Sequence, residues 1–133
     1  MKKLLIVIFA IIAIWDAFTT FIGVDGITQS SGNGITFSII ASLLVFAFML
    51  GTNHILNFEG MIGKLLKVFW GIAILIDVIT SFIGNSIFIN ANDWLTWIIL
   101  LLITLLTSAS GIIVSYMYGG DGNKPNRNFS IEI

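Results

Sequence analysis

The sequence contains no cysteine, one proline and one histidine, and only 10% of its 133 residues are charged. The lack of cysteine excludes disulfides, thiolate metal sites and cysteine nucleophiles together, and says nothing of the redox compartment. The shortage of charge excludes more. A soluble domain carries roughly 25% charged residues, and 13 of them cannot cover a water-soluble globule of this size. Six basic and seven acidic residues nearly cancel, with no basic cluster beyond Lys2-Lys3. The electrostatic footprint of a nucleic-acid binder is therefore missing.

In place of charge there is hydrocarbon: 57% of the residues are apolar before the 13 glycines are counted. Four windows reach the length that a helix needs to cross roughly 30 Å of bilayer core: 4–22, 35–51, 65–83 and 94–118. The segments between them carry turn punctuation in Val24-Asp25-Gly26, Ser30-Ser31-Gly32-Asn33-Gly34, Phe58-Glu59-Gly60 and Asn90-Ala91-Asn92-Asp93. The expected fold is all-α, a four-transmembrane-helix up-down bundle over 1–118, followed by a flexible cytoplasmic tail over 119–133.

All six basic residues flank the spans on one side: Lys2 and Lys3, Lys64 and Lys67, Lys124 and Arg127. Basic residues beside spans are retained in the cytoplasm, which predicts both termini and the middle loop inside. The expected location is a bacterial inner or plasma membrane. Trp94 and Trp97 at one end of the fourth span, with Tyr116 and Tyr118 at the other, fit aromatic belts at the two interfaces.

A shift of 61 positions lays 3–23 on 64–84 with identities at Lys3, Leu4, Leu5, Val7, Ile11, Asp16, Thr19, Phe21, Ile22 and Gly23, ten of 21 positions. Composition alone explains roughly three or four, so the pattern reads as a duplicated helical hairpin, one repeat over about 3–56 and the next over about 64–117. Met1-Lys2-Lys3 and the apolar run behind it also resemble a cleavable leader, but a segment with an internal twin is expected to be retained. Each repeat holds two spans, so the copies share an orientation about a pseudo-twofold axis along the membrane normal.

The shared core reads Asp16-Ala17-Phe18-Thr19-Thr20-Phe21-Ile22-Gly23 and Asp77-Val78-Ile79-Thr80-Ser81-Phe82-Ile83-Gly84. Helical spacing puts Asp16, Thr19, Thr20 and Gly23 on one stripe, and Asp77, Thr80, Ser81 and Gly84 on another. Asp16 lies 13 residues beyond Lys3, roughly 20 Å along the helix, within the hydrocarbon. A carboxylate there costs at least about 2.5–3.5 kcal/mol, so both acids are expected to face protein or water rather than lipid. No basic residue in the four spans is available to pair with either.

The fourth span offers a complement in Thr104, Thr107, Ser108, Gly111 and Ser115, which follow one helical face. Counting inward from Trp94 sets Thr104 at the depth of the acids and Ser108 near midplane. Gly23, Gly84, Gly111 and Ser115 are the expected close-packing positions. Ser38 and Ser42 give the second span a shorter polar face.

Catalytic motifs fail. His54 has no second ligand in view and reads as a helix end, no Gly-x-Gly-Asp setting surrounds either aspartate, and no glycine-rich phosphate loop occurs. An enzyme is not expected, and neither a cofactor nor a metal is expected. Asn128-Phe129-Ser130 matches the glycosylation pattern but falls on the cytoplasmic side, and the closing Phe129-Ser130-Ile131-Glu132-Ile133 alternates like an added strand or a frayed terminus.

Asp16-Ala17-Phe18-Thr19-Thr20 resembles the first span of the small multidrug-resistance exporters, a resemblance that implies proton-coupled export of cationic compounds. The chain departs from them in its second acid and its strong charge asymmetry. The doubled hairpin resembles rotary proteolipid rings, but its acids stand on the other helix of each pair and the glycine-rich packing helix is missing. Membership of neither family is assigned. Two acids at matching depth suit a ring or pore mouth, and four helices barely enclose a hydrated path. The expectation is therefore a homo-oligomeric channel or membrane effector with the Asp-Thr stripe in a pore or subunit seam. The alternatives are a non-transporting anchor or subunit, with a protein partner at the cytoplasmic loop or tail, and a small proton-coupled transporter.

Overall fold

The computed structural model describes residues 1–28 and 32–122. Five helices occupy them: α1 (Lys2–Thr28), α2 (Gly32–Leu50), α3 (Thr52–Asn57), α4 (Gly60–Phe88) and α5 (Trp94–Gly122). No strand occurs among the described residues. The closing segment 123–133, with its glycosylation pattern and strand-like alternation, lies outside them, as do Gln29, Ser30 and Ser31. Four of the helices, α1, α2, α4 and α5, are long and apolar enough to cross a membrane.

The long helices run past several of the limits of the apolar windows. Val24-Asp25-Gly26, which reads as a turn in the sequence, is the last-but-one turn of α1. The Thr28 hydroxyl then donates to the carbonyl of Val24 at 3.0 Å and secures that end. The second window likewise continues past its expected limit. Gly51 (φ −83°, ψ 2°) separates α2 from α3, yet its N–H donates to Ala47 at 2.9 Å and its carbonyl accepts from Ile55 at 2.9 Å. His54, expected at a helix end, lies in the last turn of α3.

Only Phe58 and Glu59 join α3 to α4. Gly60 makes the corner with φ +86°, a conformation that side chains resist. At the far end Asp93 begins α5: its Oδ1 accepts the backbone N–H of Thr96 at 2.8 Å and the Thr96 hydroxyl as well.

Packing follows a polarity opposite to that of a soluble protein. Buried apolar residues are few (Ala13, Val24, Val45, Met49, Ala73, Leu100, Val114), whereas the buried polar ones run through every long helix. Leu43, Leu44, Leu75 and Leu106 stand outside, the last 72% exposed. Water would invert that arrangement, whereas hydrocarbon tolerates it, since lipid tails are as apolar as leucine and association relies on close packing and hydrogen bonds.

α1 packs most extensively on α4, and also touches α2 and α5. The α1–α4 crossing is glycine-mediated from both sides. A Cβ on Gly23 would stand 1.9 Å from the Thr80 carbonyl oxygen, and one on Gly84 would stand 2.1 Å from that of Thr19. The two contacts are related by the same 61-residue shift. Gly111 of α5 meets Met49 of α2, where a Cβ would come within 2.9 Å of the methionine Cβ. The backbone N–H of Asn53 donates to Ser115 one turn further on. α1 and α4 therefore run one way, and α2 with α5 the other.

Candidate functional site

The site arises where the two stripes meet. Glycine at the seventh position beyond each aspartate lets the backbones of α1 and α4 touch, and this brings the acid and hydroxyl positions of one stripe against those of the other. Asp16 is 5% exposed and Asp77 1% exposed. Thr19, Thr20, Thr80 and Ser81 are buried beside them.

The contacts are reciprocal. The Thr20 hydroxyl donates to Asp77 Oδ1 at 2.8 Å, and the Ser81 hydroxyl, its counterpart in the shifted register, donates to Asp16 Oδ1 at 2.9 Å. Thr20 and Ser81 meet at 2.9 Å between them. Thr19 and Thr80 turn back onto their own helices, to the carbonyls of Asp16 at 2.9 Å and Ile76 at 2.8 Å, and Thr19 also reaches Ser81 at 3.3 Å. Asp16 and Asp77 are thus connected through the Ser81 and Thr20 hydroxyls. Asp77 Oδ2 is buried with no hydrogen-bond partner.

α5 closes the site, though not at the expected depth. Ser108 is the residue level with the acids, its hydroxyl donating to Asp16 Oδ1 at 3.3 Å. Thr104 lies about a turn further along and accepts from Asn85 Nδ2 at 3.2 Å. The count from Trp94 misses because it assumes that the span begins at the membrane face, whereas the register of α5 is set by its packing on α1 and α4. Thr107 donates to the Thr104 carbonyl at 3.0 Å and takes no part in the acid cluster. Gly111 and Ser115 pack against the α2–α3 arm instead.

Both stripes are buried within the chain, among α1, α4 and α5. Around them the polar network extends to residues that the sequence reading passed over. Asn85 continues the α4 stripe eight residues beyond Asp77, a spacing that was there to be read. Ser110 is fully buried and bonds to the Thr107 carbonyl. A second group lies at the α2–α3 junction, where the Trp70 indole donates to Thr52 at 2.9 Å and Thr52 donates to the Met49 carbonyl at 2.7 Å. Nothing in the sequence pairs Trp70 with Thr52.

Among the described residues no basic side chain is buried. Lys64 and Lys67 stand 13 and 10 residues before Asp77 in α4, roughly 20 and 15 Å along the axis. Among the described residues no group of three or more His, Cys, Asp or Glu side chains is placed to hold a metal ion. Two grooves on the outer faces, about 280 Å³ along Val78, Phe82 and Leu101 and about 200 Å³ along Leu44, Phe48 and Phe69, have apolar linings and suit acyl chains.

Comparison with protein-family models, with curated proteins and with solved structures gives no match. Fold and site thus define a class: a small helical protein with four helices able to span a membrane, and a polar centre in its interior.

Proposed function

We propose that the chain is a small integral membrane protein built from two duplicated hairpins, with both termini cytoplasmic, which assembles as a homo-oligomer and passes protons or small cations along the polar centre of each copy. The reading is carried by the Asp16–Asp77 pair, two acids in the bundle interior with no buried basic residue among the described ones to offset them. An intramembrane ionisable group is costly to keep, and such groups mark ion or proton pathways. The reciprocal contacts of Gly23 with Thr80 and Gly84 with Thr19 support the duplication.

The test is flux into liposomes. Purified protein is expected to dissipate an imposed proton or sodium gradient, and Asp16→Asn with Asp77→Asn to abolish or reselect the current. Unchanged flux removes the acids from the mechanism. Saturable, substrate-dependent uptake would turn the reading toward a proton-coupled transporter. Native mass in detergent tests the oligomer.

A second reading is favoured by a different observation: the hydroxyls of the centre are hydrogen-bonded within the chain, as interhelical glue would be. A non-transporting anchor or subunit is then expected to copurify with a protein partner and to release it on truncation after Tyr118 if the tail is the docking element.

A further inference from the structure

Three oxygen-to-oxygen contacts connect the two acids: Asp77 Oδ1 to Thr20 Oγ1 at 2.8 Å, Thr20 Oγ1 to Ser81 Oγ at 2.9 Å, and Ser81 Oγ to Asp16 Oδ1 at 2.9 Å. Each has hydrogen-bond length and needs one hydrogen. An ionised carboxylate brings none, and a hydroxyl brings one. With both acids ionised, two hydrogens must serve three contacts. However the hydroxyls turn, one contact sets lone pairs face to face in a site without water-like screening.

The neighbours do not repair the deficit. The Thr19 hydrogen goes to the Asp16 carbonyl or onto Ser81, and the Ser108 hydrogen goes to Asp16, so neither enters the line between the acids. Asp77 Oδ2, buried and without a partner, is a second place where a hydrogen is missing. Nor is any Lys, Arg or His side chain buried beside the two acids among the described residues. Apart from the pair itself, the charged residues of α1 are Lys2, Lys3 and Asp25, and those of α4 are Lys64 and Lys67. α2 has none; α3 has the titratable His54, and α5 has Asp121 and the titratable Tyr116 and Tyr118 near its end.

We propose that the chain Asp16–Ser81–Thr20–Asp77 is a proton-binding site that holds a proton between the two acids. With Asp16 protonated, its O–H donates to Ser81, Ser81 to Thr20 and Thr20 to Asp77, and every contact has its hydrogen. The opposite polarity is equally complete, with Asp77 donating to Thr20, Thr20 to Ser81 and Ser81 to Asp16. A concerted shift exchanges them: at each step one O–H bond breaks as the next forms, and the negative charge moves from one carboxylate to the other. The inference rests on hydrogen counting within one chain and requires neither transport nor self-association.

Dicyclohexylcarbodiimide, an apolar reagent that consumes protonated carboxyls, tests it on the full-length protein in liposomes at neutral pH. The acid O–H adds across a C=N bond, its proton passing to nitrogen, and rearrangement to the N-acylurea loses no atom, so the labelled peptide gains the mass of one reagent. Label is expected on Asp16 or Asp77, about one per chain, and to be lost in the Asp16→Asn, Asp77→Asn double variant. Infrared spectra of the unlabelled protein provide a readout that does not depend on reagent access. A protonated-carboxyl C=O band is expected in the wild type, shifted by Ser81→Ala and kept by Ser81→Thr. A folded, helical wild type with neither label nor band holds both acids ionised and overturns the proposal. The same band in the wild type and in Ser81→Ala overturns the hydroxyl chain as the seat of the proton.

Discussion

Gly84 rests on the carbonyl of Thr19 so closely that an added Cβ would stand 2.1 Å from the oxygen. The obstacle is backbone, which cannot swing away as a side chain does. Gly84→Ala is therefore expected to force α1 and α4 apart and to destabilise the fold by about 1–3 kcal/mol, the usual range for overpacking. Gly26, with nothing within 4 Å of an added Cβ, is the control. There alanine is expected to stabilise the helix by up to about 1 kcal/mol. Thermal unfolding in detergent, followed by circular dichroism, reads both signs.

The turn into α4 carries a separate prediction. Gly60 holds φ +86°, and the Cβ of an alanine at Gly63 would stand 2.2 Å from the carbonyl oxygen of Phe58. Gly60→Ala is expected to cost about 1–2 kcal/mol through the left-handed backbone alone. Gly63→Ala acts by collision and should displace the α3–α4 corner, which Trp70 fluorescence follows.

Trp70 is itself testable. Its indole N–H donates to Thr52, so Trp70→Phe and Thr52→Val should each lose about 0.5–1.5 kcal/mol. Combining them should cost less than the sum, because they share one hydrogen bond. A strictly additive double mutant would remove that bond from the account of stability.

At Asp93 the sign of the pH dependence is fixed by hydrogen bonding. The Thr96 hydroxyl and backbone N–H hold this carboxyl below its ordinary range, and it is fully exposed. A group whose folded value is lowered contributes above its unfolded value and loses that contribution as pH falls through the folded one. Acidification should therefore loosen the first turn of α5, seen as faster amide exchange at Thr96 and Trp97. Asp93→Asn keeps a capping oxygen without the titration and should flatten the profile.

Because the chain has no native cysteine, its orientation can be mapped by single replacements. In intact cells an impermeant maleimide is expected to label Asn92→Cys and to spare Glu59→Cys until the membrane is opened. The reverse pattern would invert the proposed topology.

Much of the fold could be read in the sequence because the relevant signals are local. Apolar windows fix the number of long helices, and Asp16–Gly23 and Asp77–Gly84 write their own stripes through helical spacing. The helix ends were less legible: Val24-Asp25-Gly26 has turn residues, but a glycine costs a helix only about 1 kcal/mol, and α1 runs through it to the Thr28–Val24 bond. The level of Ser108, rather than Thr104, against Asp16 depends on how α5 slides along α1 and α4, which a count from Trp94 does not contain. Trp70 and Thr52 are 18 residues apart on different helices, and the corner at Gly60 between them brings them together.

The wiring of the polar centre also bears on how the chain is made. Asp16 emerges from the ribosome early, while Ser81 and Ser108, which bond to it, are synthesised 65 and 92 residues later. Until they arrive, the nascent first span carries an acid with no lasting partner in the bilayer. The order of the residues thus predicts delayed release of the first span during insertion: a ribosome stalled before Ser81 is expected to leave it more easily extracted from the membrane than one stalled beyond Ser115.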